Sequence, residues 1–228
     1  MTSTPGTPGT PDTPGDRAAR QSQPDHRSLY AIATSRLVGH LARFQKSHKL
    51  TRPIKLLDVS GGKPDLLREL CSSALKHSLS VEMTVLAESE TVAELLTDVE
   101  SDFASIDRVP DTLDVYLEKA STGDFDCVHT ALCMTQLREV PMLTRLGKLE
   151  RLSSPLFVWT DLPRGASRKQ YRDMMNRVDL GFCAYKKPLR SPVFTIAGER
   201  KPFATIMRSE PCLLYRSDAA DDHRDVGG

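Results

Sequence analysis

One stretch limits the architecture more than any other: Ile54-Lys55-Leu56-Leu57-Asp58-Val59-Ser60-Gly61-Gly62-Lys63-Pro64-Asp65-Leu66-Leu67. An apolar run ends in an aspartate, turns through two glycines and opens directly into an amphipathic helix. Turn glycines let the backbone come close to a ligand that a side chain would block. A buried strand delivered to a helix N-terminus is the repeating unit of an open α/β sheet. The carboxyl end of that strand is where such sheets hold nucleotide-like ligands.

The rest of the chain alternates in the same way. Ahead of this strand, Tyr30, Ala33, Leu37, Leu41 and Phe44 recur at helical steps, which predicts a helix over 28–49 with Ser28 as its N-cap. After it, Leu67, Leu70, Cys71, Ala74 and Leu75 form a helical stripe, and Val81 to Ala87 reads as a strand. Val92, Leu95, Leu96, Val99 and Phe103 predict a helix capped by Ser89, followed by a weaker strand near Ile106 to Val109 and a loop or short helix at Leu113 to Leu117. Phe125 to Met134 has the apolar continuity of a buried strand. Val140, Leu143, Leu146 and Leu149 give another helix, and Pro155 to Thr160 a fifth strand ending at Asp161. A helix over Ser167 to Val178 precedes three strands, Phe182 to Tyr185, Val193 to Ala197 and Phe203 to Met207, the last two joined by a turn at Gly198-Glu199-Arg200-Lys201. Strands separated by helix-length connections predict a doubly wound, mostly parallel seven-stranded sheet, and the late strands on short turns predict an antiparallel edge. The class is α/β, in one domain.

Both termini differ from this body. Residues 1–27 repeat Thr, Pro and Gly, have nothing to bury, and are expected to be disordered. Residues 212–228, beginning Cys212-Leu213-Leu214-Tyr215-Arg216, resemble the in-frame translation of a sequencing adapter. The natural chain is therefore expected to continue differently after about Pro211, leaving 28–211 as the folded domain. The net charge of +1, from 31 basic and 30 acidic residues, provides no field for nucleic acid or anionic lipid. Apolar runs fall far short of the roughly 20 residues that span a bilayer. The five cysteines lack C-x-x-C pairing and read as buried hydrophobes in a reducing compartment, so a cytoplasmic location is expected. No His, Cys, Asp or Glu cluster has the spacing of a metal site, and none is expected.

The turn Asp58-Val59-Ser60-Gly61-Gly62-Lys63-Pro64 resembles motif I of the class I S-adenosylmethionine-dependent methyltransferases, an apolar strand followed by Asp-x-Gly-x-Gly-x-Gly and a helix. Three further matches occur in the family's order: Leu86-Ala87-Glu88-Ser89-Glu90 after the second strand, Gly123-Asp124-Phe125-Asp126-Cys127-Val128 entering the fourth, and Leu180-Gly181-Phe182 before the sixth. The resemblance covers about residues 50–208 and implies a Rossmann-like fold with S-adenosylmethionine as cofactor. It implies cofactor-binding roles for Asp58, Ser60, Gly61, Gly62, Glu88, Ser89, Asp111, Thr130 and Ala131. Glu88 would hold the ribose, because a carboxylate accepts two hydrogen bonds from a vicinal diol. Two positions depart from the motif: Ser60 replaces its first glycine and Pro64 its third, and the proline removes one backbone N–H.

Methyl transfer is an in-line displacement at an activated carbon, so a base is needed only where the acceptor must lose a proton. Asp161, at a strand's carboxyl end, and His129, within the fourth strand, are the candidate bases. Each has a plainer reading, Asp161 as a turn cap and His129 as a satisfied core residue. Arg164 and Tyr171 are candidate acceptor contacts, while His26, His40, His48 and His77 read as surface. The acceptor is expected to be a small molecule, since no basic stripe or nucleic-acid module is present. The alternative, prompted by Ser60 and Pro64, is a methyltransferase-like binding module without turnover. A nicotinamide-linked oxidoreductase fits poorly, because G-x-G-x-x-G is absent.

Overall fold

The computed structural model describes residues 26–87, 105–121, 123–152 and 154–201. Helix α1 (His26–His48) leads into β1 (Ile54–Asp58), α2 (Pro64–Lys76), β2 (Val81–Leu86), β3 (Ser105–Val109), α3 (Leu113–Lys119) and β4 (Cys127–Ala131). A 3-10 turn (Met134–Gln136) is followed by α4 (Glu139–Arg151), β5 (Leu156–Asp161), α5 (Arg168–Arg177), β6 (Ala184–Lys186) and β7 (Phe194–Glu199). The strands make one seven-stranded sheet in the order β3-β2-β1-β4-β5-β7-β6, with β7 antiparallel to both of its neighbours and the other pairs parallel. This is the mostly parallel α/β sheet with an antiparallel edge that the alternation predicts.

Burial explains the sequence of each strand. Strands β4 (Cys-Val-His-Thr-Ala) and β5 (Leu-Phe-Val-Trp-Thr-Asp) are covered on both faces, and every residue is buried, the polar His129, Thr130, Thr160 and Asp161 included. The edge strands β3 (Ser-Ile-Asp-Arg-Val) and β6 (Ala-Tyr-Lys) carry exposed polar positions that discourage further pairing. On one face, α1 and α2 pack Leu37, Leu41, Phe44, Leu67 and Leu70 against Ile54, Leu56, Val85 and Val158. On the other, Met142, Leu146, Tyr171 and Met174 from α4 and α5 cover Leu57, Val128, Phe157 and Trp159. Helix α2 starts with Pro64 in its first turn, where its preset φ suits the helix, and α5 starts from a capping box between Ser167 and Gln170.

Several expectations are corrected. Helix α1 begins at His26, so Ser28 lies inside it rather than capping it. Strand β4 stops at Ala131, and Met134 belongs to the following 3-10 turn. Leu75 and Val140, each placed on a helical stripe, are exposed; Leu75 lies about 40° past Cys71, the edge of the buried arc. The segment Gly198-Glu199 is not a turn but the end of β7. Gly198 is there because the preceding chain crosses it closely: an added Cβ would lie 2.6 Å from Cys183 Cα and 2.7 Å from the Phe182 carbonyl oxygen. Gly198→Ala is therefore expected to cost about 1–3 kcal/mol in urea unfolding. The proposed helix at 92–103, the strand at 203–207 and both tails lie outside the described residues.

Candidate functional site

The strand order reverses between β1 and β4, and the carboxyl ends of these neighbours define the sheet's switch point. Asp58 pairs with His129 across the ladder, so the pleat sets both side chains on the same face. His129 Nδ1 lies 2.7 Å from Asp58 Oδ1. A carboxylate only accepts, so Nδ1 carries the proton and donates it. Ser60 Oγ donates to the same oxygen at 2.8 Å, and the Ser60 N–H donates to Oδ2 at 3.2 Å. Ser60 Oγ in turn accepts the Ala131 N–H at 2.8 Å. The serine that replaces a motif glycine thus ties the turn after β1 to the end of β4. Asp58, Ser60 and His129 are all buried. The second imidazole nitrogen, His129 Nε2, is buried and has no hydrogen-bond partner among the described residues.

Lys63 adds a second tie, which sequence reasoning passed over as a variable motif position. Its Nζ donates to the Leu132 carbonyl at 3.0 Å and the Ala131 carbonyl at 3.4 Å. Leu132 stands at φ 53, a left-handed conformation that non-glycine residues rarely hold. Its carbonyl accepts from Gln136 as well as Lys63, and its N–H donates to Thr160. Only contacts from three directions keep such a residue in place.

The turn itself is open. Gly61 and Gly62 have φ of 81 and 62, and a Cβ added at Gly61 would meet nothing within 4 Å. Gly61 is part-exposed and Gly62 buried, so a ligand would reach the turn at Gly61, in a conformation that side chains disfavour. A glycine turn at the switch point, with open space beside Gly61 among the described residues, fits a nucleotide-like cofactor.

The remaining candidates are distributed as follows. Thr130 and Ala131 end β4; Thr130 Oγ1 lies 3.1 Å from Cys133 Sγ, on the face opposite His129. Burial raises the Cys133 thiol above its ordinary pKa, which keeps it from acting as a thiolate nucleophile. Asp111, just beyond β3, accepts from Lys119 at 3.1 Å. Glu88 and Ser89 lie outside the described residues. Asp161 is buried and accepts from four groups: the Thr135 N–H and hydroxyl, Trp159 Nε1 and the Leu162 N–H. This carboxylate fastens the 3-10 turn after β4 to the end of β5. Tyr171 is buried against Trp159, Tyr185 and Phe194, whereas Arg164 is exposed. His40, read as surface, is half-buried, while His26, His48 and His77 are exposed. Among the described residues no group of potential ligands could hold a metal ion, and no helix is long and apolar enough to cross a membrane.

The described fold is that of the S-adenosylmethionine-dependent methyltransferases. It is similar to the plantazolicin methyltransferase BpumL in complex with SAH, at a TM-score of 0.56 and 12% identity, covering 83% of this chain and 92% of that one. It is also similar to the CurJ carbon methyltransferase, at a TM-score of 0.60 and 10% identity, covering 81% of this chain and 57% of that one. The magnesium protoporphyrin IX methyltransferase ChlM from Synechocystis PCC 6803 with bound SAM aligns at a TM-score of 0.52 and 11% identity, covering 83% of this chain and 92% of that one. No protein-family model and no curated protein sequence matches the chain.

Proposed function

We propose that the chain is an S-adenosylmethionine-dependent methyltransferase acting on a small molecule. The observation that carries this reading is the Gly61-Gly62 turn, open beside Gly61 and tied to β4 at the switch point of a methyltransferase fold. The backbone at Gly61 and Gly62, together with Thr130 and Ala131 at the end of β4, would hold the cofactor. Asp111 would contribute from β3, and Glu88 and Ser89 would serve the ribose. Asp58 and Ser60 act from behind, since their polar atoms are committed to the turn and to β4. Bound S-adenosylmethionine supplies a methyl group already activated on a sulfonium.

Of the two candidate bases, His129 is the better suited. Asp58 holds its Nδ1–H, which leaves the Nε2 lone pair without a partner among the described residues and able to take a proton from an acceptor hydroxyl or amine. Asp161 has its oxygens occupied by four internal donors. A small acceptor is in keeping with BpumL, which has been crystallised with a monoazolic desmethylPZN analog and SAH.

Calorimetry with S-adenosylmethionine and its demethylated product tests the cofactor assignment, and absence of binding by both defeats it. Transfer of labelled methyl groups to a panel of small acceptors tests turnover. Binding without transfer would favour the mute binding module, for which the missing Pro64 N–H is the supporting feature. Gly61→Ala is expected to weaken cofactor binding about tenfold or more, because its methyl group enters the open side of the turn. The strain of a side chain at φ 81 adds about 1–2 kcal/mol of destabilisation.

A further inference from the structure

A second concavity lies away from the Asp58–His129 network, between the outer side of α1 and the β6–β7 edge. It is a cavity of about 280 Å³ lined by Arg36, His40 and Arg43 from the helix and by Lys186 and Thr195 from the strands. Among the described residues no carboxylate lines it. The sequence gives no warning of this cluster, because its cations are spaced over some 150 residues and the net charge is near zero. Only the packing of α1 on the sheet edge brings them together.

Among the described residues the charge here is uncompensated. Arg36 is held by three neutral acceptors: Nη1 donates to Thr195 Oγ1 at 2.8 Å and to the Val193 carbonyl at 3.1 Å, and Nη2 to Ser191 Oγ at 2.6 Å. These bonds orient the guanidinium without neutralising it. Among the described residues, none of Arg36, His40, Arg43 and Lys186 has a carboxylate within ion-pair distance. Elsewhere on this protein basic side chains do find acids, as Arg52 does with Asp126 and Arg200 with Glu150. Cations left together in a half-buried cavity repel one another, and a bound anion relieves that cost. His40 registers the local field: burial first, then the positive charges of Arg43 and Lys186, lower its pKa to about 4.

We propose that this cavity is a binding site for a tetrahedral oxyanion, taken up as phosphate or as the phosphate group of a small organic ester. Arg43 supplies a planar fork suited to two phosphate oxygens, Arg36 the N–H groups its internal bonds leave over, Lys186 a point charge, and the Ser35 and Thr195 hydroxyls that line the cavity are neutral groups. Binding of an anion favours the imidazolium of His40. The His40 midpoint therefore rises when the site fills, and phosphate binds more tightly as pH falls through that range.

The test is an NMR titration of the full chain in chloride buffer, following the His40 ring protons, with His40→Gln assigning the resonance. Added inorganic phosphate is expected to move the midpoint from about 4 to about 5 or above. Phenyl phosphate in a parallel arm separates the two sources: tighter binding than phosphate assigns an ester site, and equal binding assigns a site for the free ion. The Arg43→Ala/Lys186→Ala double variant, with an unchanged thermal midpoint, is expected to bind phosphate about tenfold more weakly. A His40 signal that responds no more to phosphate and phenyl phosphate than to sodium chloride of equal ionic strength overturns the proposal. So does undiminished affinity in a folded double variant.

Discussion

Asp58→Ala is expected to lower the unfolding free energy by about 3–5 kcal/mol. The substitution strands three donors in a buried place: His129 Nδ1–H, the Ser60 hydroxyl and the Ser60 N–H. It also removes the acceptor that orients the Ser60 hydroxyl, loosening one of the turn's ties to β4 while the Lys63 tie remains, so cofactor binding is expected to weaken along with the stability. Urea unfolding followed by the fluorescence of Trp159, the chain's single tryptophan, reads the first effect, and calorimetry reads the second. A loss below about 1 kcal/mol would mean that the network does not anchor the turn. Asp58→Asn separates structure from chemistry. The amide keeps the size and some of the bonds, at a cost of about 1–2 kcal/mol. Its NH2 can donate to Nδ1, however, which moves the imidazole proton to Nε2 and removes the lone pair proposed to accept a proton. Cofactor affinity is then retained while turnover of an acceptor that must lose a proton falls.

Asp161→Ala is the second large effect, again about 3–5 kcal/mol, since four donors lose their acceptor in a buried site. Trp159 Nε1 is one of them, at 3.2 Å, so the emission of the folded variant is expected to shift even before denaturant is added. The variant distinguishes two roles for the carboxylate. A fastening residue takes activity and thermal midpoint down together. A general base would abolish turnover and leave the midpoint near that of the parent, an outcome that would restore Asp161 as a catalytic candidate.

The two aspartates show how far residue type and position lead. Each ends an apolar run, and that is enough to predict a strand's carboxyl end. Neither neighbouring sequence tells whether the carboxylate faces a ligand or the protein interior. Asp58 meets its partner His129 only because β4 is laid beside β1, and Asp161 meets Thr135 only because the 3-10 turn folds under β5. Ser60 looked like a departure from the glycine motif. Its hydroxyl in fact bridges two strands, which a glycine could not do. Gly198 was misread for a similar reason. Glycine marks a turn or a close crossing with the same letter, and the crossing chain, Phe182 and Cys183, lies well away in sequence.

Local periodicity carries the alternation of strands and helices, the parallel character of the sheet and the location of the glycine turn after β1. All three follow from side-chain spacing, continuous apolar runs and turn glycines, which act over a few residues. The occupation of each polar atom is a non-local matter. Which carboxylates are consumed internally, why His129 Nε2 stands unpaired, and how Arg36, His40, Arg43 and Lys186 come to share one cavity all depend on contacts between segments far apart in the chain. Hydrogen bonds and charges act over a few ångströms of space, whatever the separation along the backbone, and only the assembled sheet and helices set those distances.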